Sequence, residues 1–173
     1  MKRSVRIFAA AMGALVAGGV AFAAPQQVAR PVITADKIQA AAHPYDEAAD
    51  AHQSLASAIA AARLSGKKVL VDFGANWCPD CQMLDVYFHQ PPNSDLLEKN
   101  YILVHVDMGR LDKNLDVAYT FNVPIKKGIP ALAVVSPTGR VIFSQTAGEF
   151  ENMRNMPASS VTEFLKMWRP KGH

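Results

Sequence analysis

Cys78 and Cys81 are the only cysteines in this 173-residue chain, and they stand three positions apart. A structural crosslink stabilises most when it closes a long loop of the unfolded chain. This pair closes nearly the shortest loop available, so its spacing points to chemistry rather than stapling. Thiol–disulfide exchange needs two sulfurs within bonding reach, with one of them ionised and reachable. The run Trp77-Cys78-Pro79-Asp80-Cys81 supplies both if a helix starts at Pro79, a residue suited to the first helical turn. Cys78 then faces unpaired backbone N–H groups and the positive end of the helix dipole, which favour its thiolate. Cys81 lies one turn deeper. Cys78 is the expected nucleophile and Cys81 the expected resolving thiol.

Other chemistries compete for the same pair. C-x-x-C can be half of a zinc site, but such sites take about four ligands. The chain has no second cysteine pair, and His89 and His105 do not stand at a ligand-like spacing. Haem attachment needs a histidine directly after the second cysteine, where Gln82 stands. A copper- or zinc-handling protein built on this pair stays open as a rival class, as does a binding module without turnover. Met153 and Met156 read as packing residues rather than copper ligands. Asp112, Asn114 and Asp116 imitate the start of a calcium loop, but Val117 and Val123 replace its glycine and terminal glutamate.

The elements around the pair follow from periodicity and punctuation. A helix is predicted over Asp46–Ser65, ended by Gly66, and a buried strand over Val69–Phe73. The helix from Pro79 is broken at Pro91-Pro92 and resumes over Ser94–Lys99. A strand is predicted over Tyr101–Val106 and a helix over Leu111–Phe121. Strands Ala131–Val135 and Val141–Ser144 are joined by a turn at Ser136-Pro137-Thr138-Gly139. A last helix runs over Ser159–Trp168, capped by Ser159 or Ser160. Helices alternating with buried strands predict an α/β fold with parallel pairing, and the late hairpin adds an antiparallel edge.

Asp72 sits inside the first buried strand, six residues before Cys78. An ionised carboxylate there costs several kcal/mol unless partnered, so its pKa is expected to rise. Such a group can take the proton from Cys81 as that thiol resolves a mixed disulfide; a structural Asp bonded to backbone or water is the plainer reading.

Half of the residues are hydrophobic and 19% are charged, the balance of an ordinary globular protein. Lys2, Arg3 and Arg6 precede an apolar, small-residue-rich stretch, Ile7 to Phe22, that ends in Ala21-Phe22-Ala23. This is the pattern of a cleavable signal peptide, and the stretch is shorter than the roughly 20 residues of a membrane span. The expected organisation is residues 1–23 signal peptide, 24–45 an extended arm with Pro25, Pro31 and Pro44, and 46–173 the folded domain, exported to the periplasm. The remaining 15 Lys and Arg balance 15 Asp and Glu, which gives no electrostatic reason for nucleic acid or an anionic membrane as partner.

The run Val69-Leu70-Val71-Asp72-Phe73-Gly74-Ala75-Asn76-Trp77-Cys78-Pro79-Asp80-Cys81 resembles the active-site strand and turn of thioredoxins. Gly128-Ile129-Pro130, followed by the apolar run Ala131 to Val135, resembles their second signature. The resemblance extends over about residues 46–168 and is strongest to small exported bacterial members of the thioredoxin-like superfamily. It implies a central mixed sheet of about four to five strands flanked by helices. It further implies a cis bond before Pro130, presenting the Ile129 backbone to substrate, and a buried acid at Asp72. Trp77 is implied as a wall of the substrate groove.

Two departures bear on redox poise. Asp80, between the cysteines, departs from the Gly-Pro pair of ordinary thioredoxins, and its charge is expected to oppose the Cys78 thiolate or to restrict substrates. The lysine that often accompanies the buried acid has no counterpart, because Leu103 is expected at that position. The activity implied is thiol–disulfide exchange with client proteins, without a cofactor beyond the Cys78–Cys81 disulfide. A membrane thiol-transfer partner is expected to supply electrons, a monomer is expected, and the expected direction is reduction, with a disulfide donor as the rival.

Overall fold

The computed structural model describes residues 43–171. The signal-peptide reading and most of the arm fall on residues 1–42 and lie outside the described residues. Helix α1 (Ala51–Ser65) leads into strand β1 (Lys68–Gly74). Helices α2 (Pro79–Phe88) and α3 (Asn93–Asn100) then flank the Pro91-Pro92 break. Strand β2 (Tyr101–Asp107), helix α4 (Leu115–Thr120), strands β3 (Ala131–Val135) and β4 (Val141–Ser144) and helix α5 (Ala158–Trp168) complete the order. No helix among the described residues is long and apolar enough to cross a membrane.

The four strands form one mixed sheet in the order β2-β1-β3-β4. β1 pairs parallel with β2, whereas β3 runs antiparallel to both β1 and β4. The parallel part is therefore confined to one pair, and the antiparallel direction enters at the centre of the sheet, at β3.

Alternation along β1 sends Val69, Val71 and Phe73 into one core with Leu55, Ala58 and Ala62 of α1. Leu70 enters the other, with Leu84 and Phe88 of α2 and Val161 and Leu165 of α5. Each fully buried Val or Leu contributes about 1.5–3 kcal/mol. By the same alternation Asp72 stands on the Leu70 face. Met153 is fully buried in this second core, in keeping with its reading as a packing residue.

The ends of the elements show where local chemistry overrides periodicity. α1 starts at Ala51 rather than Asp46, because Asp50 caps it, accepting from the Gln53 N–H at 3.1 Å. Asp46 instead forms a turn of its own, accepting from the Ala48 N–H. α4 is shorter than the predicted Leu111–Phe121. Leu111 and Asn114 have positive φ, and the Met108 carbonyl accepts from three successive amides, those of Leu111, Asp112 and Lys113. α5 begins at Ala158 after Pro157, so neither Ser159 nor Ser160 caps it; both lie in its first turn. Its far end is tied to β1 by the Lys68 ammonium, which donates to the Trp168 carbonyl at 2.7 Å.

Candidate active site

Cys78 and Cys81 sit where β1 feeds α2, and a disulfide joins them with their Cα atoms 5.3 Å apart. Cys78 is the N-cap of α2 and Pro79 its first residue. The Cys78 sulfur accepts from the Cys81 backbone N–H at 3.2 Å, so one orphan donor of the helix start is aimed at the sulfur expected to carry charge. Cys78 keeps 4% of its surface and Cys81 none, which sets the outer sulfur apart from the inner one.

Ile129 and Pro130 come to this point from the chain just ahead of β3. The Ile129–Pro130 bond is cis, and the Ile129 carbonyl lies 3.6 Å from the Cys78 sulfur. Gln145, at the end of β4, holds this segment with both ends of its amide. Its Nε2 donates to the Pro130 carbonyl at 3.3 Å and its Oε1 accepts from the Leu132 N–H at 3.1 Å. Gln145 carries no motif in the sequence and was not found there.

Trp77 is 45% exposed beside the disulfide. Its indole N–H donates to the Gly109 carbonyl at 2.6 Å, and the Arg110 guanidinium stands 5.3 Å from the ring centroid. These contacts fix the ring at the edge of an open groove shared with Glu47, Asn76, Asp107 and Asp112.

Asp80 does not present the free charge expected from the sequence. It is 8% exposed and held by Arg154. One carboxylate oxygen accepts from the Arg154 backbone N–H at 2.9 Å, the other from its Nε at 3.2 Å, with Nη2 at 3.1 Å. A paired carboxylate acts on its neighbours as a dipole, so the pairing with Arg154 weakens the opposition to the Cys78 thiolate expected of Asp80.

Asp72 is fully buried, and its surroundings correct a second expectation. β1 and β2 pair so that Leu70 faces Leu103 and Asp72 faces His105. The electrostatic partner judged absent at Leu103 is therefore supplied two residues later. His105 Nδ1 lies 3.1 Å from Asp72 Oδ2, and the same oxygen accepts from the Tyr45 hydroxyl at 2.8 Å. The other oxygen, Oδ1, is buried without a hydrogen-bond partner.

Tyr45 precedes α1 and is held by Asn76, which accepts from its N–H and donates to its carbonyl. Its ring lies edge-on to His105, with centroids 5.1 Å apart. Gly74 admits it: a β-carbon there would overlap the Tyr45 hydroxyl and ring. Burial, then the charge and hydrogen bond of Asp72, raise the Tyr45 pKa well above its ordinary value, so at neutral pH it is a donor. On the far side of His105, its Nε2 lies 3.5 Å from Asp85 Oδ1 on α2. Neither Tyr45, His105 nor Asp85 was assigned to the site from the sequence.

A helix-capping disulfide at the end of β1, with a cis-proline segment against its outer sulfur, is the layout of a known fold. Residues 50–137 match the family model described as thioredoxin-like. The chain belongs to the thioredoxin-like family. A crystal structure of a disulphide isomerase from Xylella fastidiosa Temecula1 is 37% identical. The match covers 72% of this chain and 95% of that one, with a TM-score of 0.69. The C-terminal domain of DsbD from Neisseria meningitidis, in its oxidised form, shares the fold at 20% identity and a TM-score of 0.52, over 70% of this chain and 97% of that one. No curated protein matches the sequence. This thioredoxin-like protein is a thiol–disulfide oxidoreductase with a single redox pair, Cys78–Cys81.

Proposed function

We propose that the protein reduces disulfides of client proteins in the periplasm, with Cys78 as nucleophile and Cys81 as resolving thiol. One observation carries the assignment of roles. The Cys78 sulfur accepts the Cys81 backbone N–H in the first turn of α2 while facing the Ile129 carbonyl, whereas Cys81 is closed off from solvent.

In the reduced protein the Cys78 thiolate attacks one sulfur of a client disulfide. A bond forms between Cys78 and that sulfur, and the client's other sulfur leaves as thiolate. Cys81 then gives up its proton and attacks the Cys78 sulfur. The Cys78–Cys81 disulfide forms, the second client sulfur leaves, and two electrons have passed to the client. Asp72 serves as the base toward Cys81. Trp77 and the Ile129 backbone border the groove that takes the extended client, while Pro79 and Asp80 set the turn. A membrane thiol-transfer protein re-reduces the pair.

The Xylella fastidiosa relative is titled a disulphide isomerase, which supports client proteins, rather than small thiols, as the substrates. The direction rests on Ile129 before Pro130, which resembles the reducing members of the family. The test combines insulin reduction, with Cys78→Ser as control, and equilibration of the pair with glutathione buffers. Insulin reduction that requires Cys78 and a potential below about −200 mV, on the reducing side of protein disulfide isomerase, are expected. A potential near the roughly −120 mV of strong oxidants reverses the direction.

A further inference from the structure

Resolution leaves a proton inside the protein. If Asp72 takes it from Cys81, the carboxyl holds it in a site closed to solvent, and the next turnover needs that carboxylate back. Asp72 itself has no exposed surface, so the proton requires a route out.

The contacts around Asp72 trace one. Asp72 Oδ2 lies 3.1 Å from His105 Nδ1, and the opposite ring nitrogen, Nε2, lies 3.5 Å from Asp85 Oδ1. The imidazole thus spans two carboxylates that are supplied by different elements, β1 and α2. The His105 side chain is 18% exposed and that of Asp85 10%, so the sealed carboxyl is linked to two side chains that reach the surface, although Asp85 Oδ1 itself is buried without a hydrogen-bond partner. Asp85 also has His89 Nδ1 at 3.4 Å, on a side chain 67% exposed.

The groups facing His105 are Asp72 from β1, Asp85 from α2 and the Tyr45 ring from the segment before α1. Asp107, further along β2, is bound by Lys113 at 3.1 Å. No other ring of this chain has a carboxylate on each nitrogen among the described ion pairs.

We infer that His105 and Asp85 form an exit path for the resolution proton, with His105 passing it from Asp72 to Asp85 and Asp85 releasing it to water. This rests on the reading of Asp72 as the base toward Cys81. The transfer is a pair of hops that moves the ring's proton from Nε2 to Nδ1, so before the next turnover His105 must regain the Nε2–H form by exchanging these protons with water at its partly exposed edge. The Asp72 proton goes to Nδ1 of the neutral ring, giving the imidazolium, and the Nε2 proton then goes to Asp85. No electrons move along it. Charge permits both hops. Burial opposes the imidazolium, but the hydrogen bond and charge of Asp72, and then the charge of Asp85, outweigh it and raise the His105 pKa. Burial raises the Asp85 pKa as well, against the lowering pull of His105 and His89, which suits a carboxyl that must be protonated in passing.

Single-turnover kinetics on the reduced full-chain protein separate the two steps. A peptide disulfide is the substrate, and Trp77 fluorescence and acid-quenched mixed disulfide are the readouts. His105→Gln keeps the size and polarity of the side chain but cannot pass a proton. It is expected to lower the ratio of resolution rate to attack rate on the order of tenfold at pH 6–7, a fraction of what a positioned acid or base supplies. The deficit is expected to shrink as pH rises and hydroxide replaces the path. Asp85→Asn, on a different element, is expected to move the ratio in the same direction and serves if His105→Gln does not fold. A ratio within twofold of wild type at every pH, in whichever of these variants folds, overturns the exit path while leaving the oxidoreductase intact. A wild-type protein that never forms the Cys78 mixed disulfide overturns the underlying function instead.

Discussion

The Asp80–Arg154 pair decides how the cysteine turn treats its own charge. Arg154 lies 74 residues from Asp80 in sequence, so nothing near the motif announced that the acid would be neutralised. Arg154→Ala strips the guanidinium from the Asp80 carboxylate, two residues from Cys78. A nearby like charge disfavours the thiolate. Alkylation of Cys78 in the reduced variant at pH 7 is expected to slow about threefold to tenfold, the size of one partly solvated charge interaction. Asp80→Asn in the same background is expected to restore the rate, because it removes the stranded charge. Iodoacetamide trapping across pH measures both. A double variant as slow as the single one assigns the pair to holding the turn and not to tuning the sulfur. Cys78, Cys81 and Asp72 were visible in the sequence because their types and spacing imply a chemistry on their own. Gln145, Tyr45 and Arg154 were not, because each acts through a contact that exists only once the chain has folded.

Among the elements, α1 offers the cleanest test of a punctuation signal read from sequence. Gly66 ends it at φ 71°, with its N–H on the Ala62 carbonyl at 2.9 Å, and a β-carbon there meets nothing within 4 Å. Gly66→Ala therefore costs only backbone strain, about 1 kcal/mol. Urea unfolding should show the midpoint falling with an unchanged slope. An unaltered midpoint means that the helix end relaxes by another route. Glycine and proline marked most boundaries correctly, and the strands and the break at Pro91-Pro92 were legible for that reason. The start of α4 was not, since Leu111 and Asn114 adopt positive φ, which residue type alone does not foretell. The register of β2 failed for a different cause. A period of two tells which face a residue takes, and Leu103 and His105 take the same one. Periodicity could not choose between them; only the pairing of Lys68 with Tyr101 at the strand ends fixes His105 opposite Asp72.

For the whole molecule, the sheet, α2 and the segment before α1 together hold a cluster that binds protons more tightly when folded than when unfolded. The His105 pKa is raised above 6.5 by the net effect of Asp72 and Asp85 against burial. Its contribution to stability is fully present below the unfolded value and is lost as pH rises through the folded one. Asp85, raised above 3.8 by burial, carries the same sign in a lower window. Unfolding free energy of the oxidised protein is therefore expected to decline as pH rises from about 6 through the raised His105 pKa. His105→Gln should flatten that decline even though it lowers stability at pH 6, because an amide does not titrate there. Tyr45 contributes nothing in this range, since its pKa is pushed further above 10.0. Urea midpoints of wild type and variant across that interval settle the matter. A decline of equal steepness in both proteins places the titrating group elsewhere and removes His105 as the proton-holding centre of the fold. A slope lost only in the variant assigns the proton binding that stabilises the folded chain to His105 and the two carboxylates that flank it, Asp72 on β1 and Asp85 on α2.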